Sequence, residues 1–175
     1  EAAWIAKRLA PLEPADIGTI LNVGSSSGPF RTQTQPWIDE ELFAPLRERK
    51  IPVVHVDLKN EPGVDLIANI ADDDGFAAAK AYHPRTVMLC NILEHVHEPA
   101  KIAQRAFDLV EPGGRLIYAT CTIIRRENDE VVQDFLGGLR SRQSDEHRER
   151  AWRWVRARYA AEHPDWQVVE GRGGV

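Results

Sequence analysis

Cysteine is scarce in this sequence: the chain has two, Cys90 and Cys121. They stand alone, so there is neither a disulfide framework nor a C-x-x-C metal or redox pair, and a reducing, cytoplasmic location is the simplest reading. Long apolar runs are also missing, and nothing approaches the roughly 18 residues that a membrane-spanning helix needs. The first residues show no basic patch leading into an apolar stretch and a small-residue cleavage site. The sequence begins at Glu1 rather than Met, as in a processed chain or a stretch of a longer one. Low-complexity tracts, internal repeats and dividing linkers are absent, so residues 1–175 read as a single domain. Excess positive charge is lacking as well. A net charge of −5 argues against a dedicated nucleic-acid binder, because phosphate contacts need Lys and Arg. A local basic patch would suffice, and Arg140 to Arg158 is one candidate. Asp145, Glu146 and Glu149 are interleaved with it, and it reads first as a solvated helix face.

What is present is an alternation of short β-type runs with helical patterns, the mark of β-α-β units and a parallel sheet. Residues 1–12 carry Trp4, Ile5, Leu9 and Leu12 at helical spacing, closed by Pro14. Thr19 to Val23 reads as a buried first strand. A helix is expected from about Gln35, with Pro36 as its first residue and Trp37, Ile38, Leu42 and Phe43 toward the sheet. Pro45 should bend it. Strands are expected at Val53 to Leu58, Asp65 to Ile70, Thr86 to Asn91 and Arg115 to Thr120. Helices are expected at Pro99 to Val110, at Glu127 to Leu139 and near Glu146 to Glu162, and a sixth strand at Trp166 to Glu170.

The chemistry concentrates after the strands. Asn22-Val-Gly-Ser-Ser-Ser-Gly28 follows the first strand directly, and small residues there let backbone approach a ligand closely. In doubly wound sheets, ligands settle outside the carboxyl ends of the strands, where this turn lies. Asp57 ends the second strand, placed to accept hydrogen bonds from ribose hydroxyls or simply to cap the strand end. The stretch Pro29 to Gln35 reads as an irregular turn or part of a pocket lid.

These spacings resemble the class I methyltransferases that use S-adenosylmethionine, over roughly residues 18–120. Asn22, Gly24, Ser26 and Gly28 match that family's D-x-G-x-G-x-G loop, which carries the methionine part of the cofactor. Asp57 matches its ribose-binding acid, and Ala68-Asn69-Ile70 resembles its adenine-edge segment. Asn91-Ile-Leu-Glu-His-Val-His-Glu-Pro99 is similar to its fourth-strand exit, and Leu109 to Ile117 to its helix–P-G-G–strand step. The resemblance implies a Rossmann-like, mostly parallel, doubly wound sheet. About six strands are in evidence, with the family's last strand unaccounted for, as in a domain truncated at its C-terminus. It also implies a cofactor cradle of Asn22, Gly24, Ser25, Ser26, Gly28, Asp57, Leu58, Asn69, Ile70 and Asn91. Asn22 and Asn69 replace acids and Ser26 replaces a glycine. These departures weaken cofactor binding and leave room for a domain that binds cofactor or partner without turnover.

Methyl transfer is a displacement at an activated sulfonium carbon, so the protein supplies positioning and, for a weak nucleophile, a base. His95 is the candidate base, although a structural role at the strand exit accounts for it and for Glu94 equally well. His95 and His97 have ligand-like spacing but no third ligand, and no metal is expected. The first expectation for the acceptor is an oxygen, nitrogen or carbon of a small molecule.

A second resemblance lies further on. Tyr118 to Leu136 (Y-A-T-C-T-I-I-R-R-E-N-D-E-V-V-Q-D-F-L) is similar to the RNA cytosine-5 methyltransferases, and His163-Pro-Asp-Trp166 fits their tail. It implies Cys121 as a covalent nucleophile on RNA, against the simpler reading of a small residue at a strand end. That family's fourth-strand D-A-P-C-S-G motif is replaced here by L-C-N-I-L-E-H-V, and Cys90 falls too early for its second cysteine. An unpaired sheet edge would further invite dimerisation or association with another chain.

Overall fold

The computed structural model describes residues 1–121, 130–135 and, as backbone, 154–158. Six strands form one parallel sheet: β1 (Ile20–Val23), β2 (Val53–Asp57), β3 (Leu66–Ile67), β4 (Thr86–Cys90), β5 (Arg115–Thr120) and β6 (Trp154–Arg158). Their spatial order is β3-β2-β1-β4-β5-β6. The order reverses between β1 and β4, whose register pairs Ile20 with Thr86 and Val23 with Leu89. Helices of ordinary form are α1 (Ala2–Leu9), α2 (Pro14–Ile17), α3 (Ala44–Glu48), α4 (Asp73–Lys80) and α5 (Pro99–Leu109). A further helical stretch, α6, covers 130–135.

Side chains alternate across the sheet, so each strand feeds two cores. Leu21, Val23, Val54, Val56, Val87, Leu89, Leu116 and Tyr118 face α4, α5 and α6, meeting Ala79, Ile102, Phe107 and Phe135. Ile20, Met88, Ile117 and Ala119 face the other way, onto Ile5 and Leu9 of α1, Ile17, and Leu42, Phe43 and Leu46. β1, β4 and β5 read as continuous apolar runs because helices cover both of their faces. The expected doubly wound, Rossmann-like class is the observed one.

Several elements differ from the sequence reading. Pro14 opens a short helix instead of closing one, a position where its missing N–H costs nothing. The helix expected from Gln35 is a chain of wide turns, Phe30–Thr34 and Asp39–Phe43, before α3. Pro45 cannot donate, and the Ala44 N–H reaches back five residues to Asp39 O. Leu42 and Phe43 are buried as expected, but Trp37 is 50% exposed because the wide turns rotate it off the sheet. β3 keeps only two residues, Leu66–Ile67, of the six expected.

The largest change is at β6. Trp154–Arg158 falls inside the segment expected to be helical and instead pairs in parallel with β5, Leu116 opposite Trp154. A buried β5 has a second edge of backbone donors and acceptors to satisfy, and a neighbouring strand does this better than helical periodicity predicts. The expected strand at 166–170, the remainder of the helix at 146–162 and the tail at 163–166 lie outside the described residues.

Phe107 of α5 meets Phe135 of α6 edge to face, with centroids 5.8 Å apart. Both side chains are almost fully buried. Phe107→Ala is therefore expected to destabilise the fold by about 3–5 kcal/mol, read as a lower urea midpoint.

Candidate functional site

The carboxyl ends of β1, β2, β4 and β5 open onto one cleft of about 640 Å³. Its lining brings together Asn22, Gly24, Ser25, Ser26, Asp57, Leu58, Asn69, Ile70 and Asn91, together with His95 and Cys121. Gly28 is not among the lining residues. It packs against the Pro62–Gly63 turn, with its N–H donating to Pro62 O at 2.7 Å. A Cβ added at Gly63 would lie 2.6 Å from Gly28 Cα, so the two glycines permit a backbone-to-backbone contact. The Pro-Gly pair was a readable turn signal, but nothing local says what it packs against.

The loop after β1 is tied down from several directions. The Gly24 and Ser25 N–H groups both donate to Val56 O, at 2.9 and 3.1 Å. The Ser26 N–H donates to Asp57 Oδ2 at 2.7 Å. This bond holds Ser26 in the left-handed region, at φ 57, which explains why a glycine suits the position. The other Asp57 oxygen accepts from the Lys59 N–H at 3.1 Å. Each carboxylate oxygen retains acceptor capacity toward the cleft, the chemistry a ribose diol requires.

Asn22 is buried in β1, directly opposite His55 of β2. Its Nδ2 lies 3.1 Å from His55 Nδ1, so the imidazole nitrogen accepts and the Asn22 Oδ1 is turned away from it. Burial, reinforced by the Arg31 charge, lowers the His55 pKa to about 4, and the ring is neutral at pH 7. Phe43 stacks edge-on to it at 4.8 Å. Asn69 Oδ1 accepts from the Ala71 N–H at 3.0 Å, closing its own turn. Leu58 is 69% exposed at the cleft, an apolar face suited to a flat aromatic ligand.

Asn91 is placed differently from a free ligand-binding amide. Its φ is 51, its Nδ2 donates to Glu1 Oε2 at 2.6 Å, and its Oδ1 accepts from the Cys121 N–H at 2.8 Å. It thus joins the ends of β4 and β5 and sets where Cys121 stands. Cys121 is exposed to the cleft. Partial burial, then the Glu1 and Glu94 charges, raises its thiol pKa above the ordinary value. Cys90 is pushed up much further, to about 12, by burial and the same two carboxylates, which leaves it inert. Glu94 Oε2 is enclosed without a hydrogen-bond partner among the described residues. His95 sits on the short turn Leu93–His95, exposed at the rim.

Sequence reasoning missed Arg31. Arg31 is among the residues that line the cleft, yet it is only 5% exposed. It donates to Ser25 O and Ser26 O, at 2.9 and 2.6 Å, and to Gly63 O at 2.6 Å. No spacing rule marks a lone basic residue in a loop as buried, so no local signal was available.

A doubly wound sheet, a cleft at its switch point and a strand-end acid beside a small-residue loop make a Rossmann-like fold, consistent with that of the class I methyltransferases. A family model described as 16S rRNA methyltransferase RsmB/F matches residues 88–160, from within β4 to just beyond β6. No curated protein gave a match. The chain is an S-adenosylmethionine-dependent methyltransferase, similar over those residues to that family. The small-molecule acceptor expected from the first resemblance finds no support in this match, which favours the RNA alternative.

Ser26→Gly removes a left-handed strain of about 1–2 kcal/mol and adds a glycine entropy cost of about 0.5–1 kcal/mol. The variant is expected to be as stable as the parent or up to about 1.5 kcal/mol more so, with the loop bonds retained, as read by thermal and urea unfolding.

Proposed function

We propose that the protein methylates carbon 5 of cytosine in RNA, with Cys121 as the nucleophile. The observation that carries this reading is the position of Cys121: an exposed thiol on the wall of the cofactor-side cleft, at the end of β5, with its backbone held by Asn91. The match over residues 88–160 supports the same chemistry. Arg140 to Arg158 carries seven arginines against three acids, a composition suited to RNA phosphates.

The bound cofactor would supply an electrophilic methyl group on a positive sulfur. Cytosine carbon 5 is a poor nucleophile until a thiolate adds to carbon 6, which moves electron density onto carbon 5. Cys121 Sγ forms that bond. Carbon 5 then takes the methyl group, its remaining proton leaves to a base, and the carbon 6–sulfur bond breaks to return the thiolate. Glu94 is the base: its Oε2 has no hydrogen-bond partner among the described residues and its charge acts on Cys121. Asn22, Asp57 and Leu58 would hold the cofactor's amino, ribose and adenine groups, in that order along the cleft.

RNA containing 5-fluorocytosine cannot lose a proton from carbon 5 and should trap the protein as a covalent band resistant to denaturing gel electrophoresis. Cys121→Ser should give no band, and absence of a band with the parent chain refutes the nucleophile assignment. The thiol must ionise and its pKa is raised, so adduct formation should accelerate as pH rises through the alkaline range. Removing the Glu94 charge lowers that pKa, so Glu94→Gln should trap at lower pH yet release ordinary methylated RNA more slowly. A pH-independent trapping rate, or unchanged release, counts against this arrangement.

A further inference from the structure

The loop that follows β1 has little left to offer an anion. N–H groups at Gly24, Ser25, Ser26 and Gly28 are bonded within the protein, to Val56 O, Asp57 Oδ2 and Pro62 O, which leaves the Ser27 N–H as the loop's one backbone donor unbonded among the described residues. Pro29 has none. A bound S-adenosylmethionine places an α-carboxylate near this loop when its ribose sits at Asp57, and a charged carboxylate in a cleft needs donors. The loop's carbonyls are also engaged, because Ser25 O and Ser26 O accept from Arg31.

Arg31 supplies what the loop does not. Its three bonds to Ser25 O, Ser26 O and Gly63 O occupy three of the five N–H donors of a guanidinium. All three acceptors are neutral carbonyls, and no carboxylate among the described residues lies within ion-pair distance of it. Asp39, Asp57 and Asp65 act on it only from farther away, while burial lowers its pKa. The outcome is a largely buried positive charge on the cleft wall, fixed in direction by the loop and without an adjacent counter-ion. A buried charge in that condition is stabilised by an anion that arrives with a ligand.

We propose that the Arg31 guanidinium is the counter-charge for the α-carboxylate of the bound cofactor, supplying the positive charge that the single unbonded loop N–H, at Ser27, does not. The same side chain braces the cofactor loop against the Pro62–Gly63 turn, so carboxylate recognition and loop geometry depend on one residue. The inference rests on the cofactor class alone and is independent of the acceptor and of Cys121.

Isothermal titration of S-adenosylmethionine against decarboxylated S-adenosylmethionine, which lacks only the carboxylate, separates the two roles. The parent chain should bind the intact cofactor about 10-fold or more tightly than the decarboxylated one. In Arg31→Met that preference should fall to within about threefold, through loss of affinity for the intact cofactor. In Arg31→Lys, which keeps the charge but not the fork, it should be intermediate. Equal weakening of both ligands in Arg31→Met would leave Arg31 as a brace only and overturn the proposal. So would a parent chain that does not distinguish the two ligands, a result that needs no variant to fold. A parent chain that binds neither ligand would overturn the cofactor site itself along with it.

Discussion

The hydrogen bond from the Ser26 N–H to Asp57 Oδ2, 2.7 Å long, is the contact on which the site depends. It crosses from the loop after β1 to the end of β2 and holds a non-glycine residue at positive φ. Without it, the loop would lose its reason to turn back over the strand ends, and the cleft its inner wall. The same carboxylate faces the cleft, so the group that shapes the loop is also the one suited to a ribose. Arg31 completes the arrangement from the other side by taking the carbonyls of Ser25 and Ser26. One loop is thereby fixed through its N–H groups by β2 and through its carbonyls by a buried guanidinium.

The acceptor side is organised by Asn91 in a comparable way. A left-handed asparagine at the end of β4 spends its amide on Glu1 and on the Cys121 backbone. This ties the two strands whose ends must be in register if a nucleophile is to face the methyl group. The contrast between the two cysteines follows mainly from depth: Cys90 is more buried and its thiol is held protonated, whereas Cys121 is exposed at the cleft. Resemblance to small-molecule enzymes in the first half and to RNA enzymes after β5 meets in this single cleft. One wall of the cleft comes from the ends of β1 and β2, and the other from the ends of β4 and β5.

Much of this was legible before any coordinates. The apolar runs at β1, β4 and β5 were readable because parallel strands covered on both faces are rich in Val, Ile and Leu. The loop, Asp57 and Asn69 were readable because close backbone approach and strand-end acids impose residue types at set intervals. The same signals put Leu58, His95 and Cys121 near the cleft by position alone. Gly28 was the expected cofactor-loop residue placed outside the lining, since its partner, Gly63, is remote in the chain.

What the sequence determined by itself is periodicity and spacing, the quantities set by neighbours a few residues apart. Tertiary structure decided whatever depends on a distant partner. Trp154–Arg158 became a strand because β5 presented an unpaired edge, although its apolar spacing suits a helix. Trp37 turned outward because Pro45 could not donate and the preceding turns widened. Arg31 became a buried charge, and Asn91 a bridge rather than a free ligand, because three carbonyls and two strand ends converged on them. Burial and hydrogen-bond satisfaction are properties of the folded neighbourhood, and no local pattern encodes them.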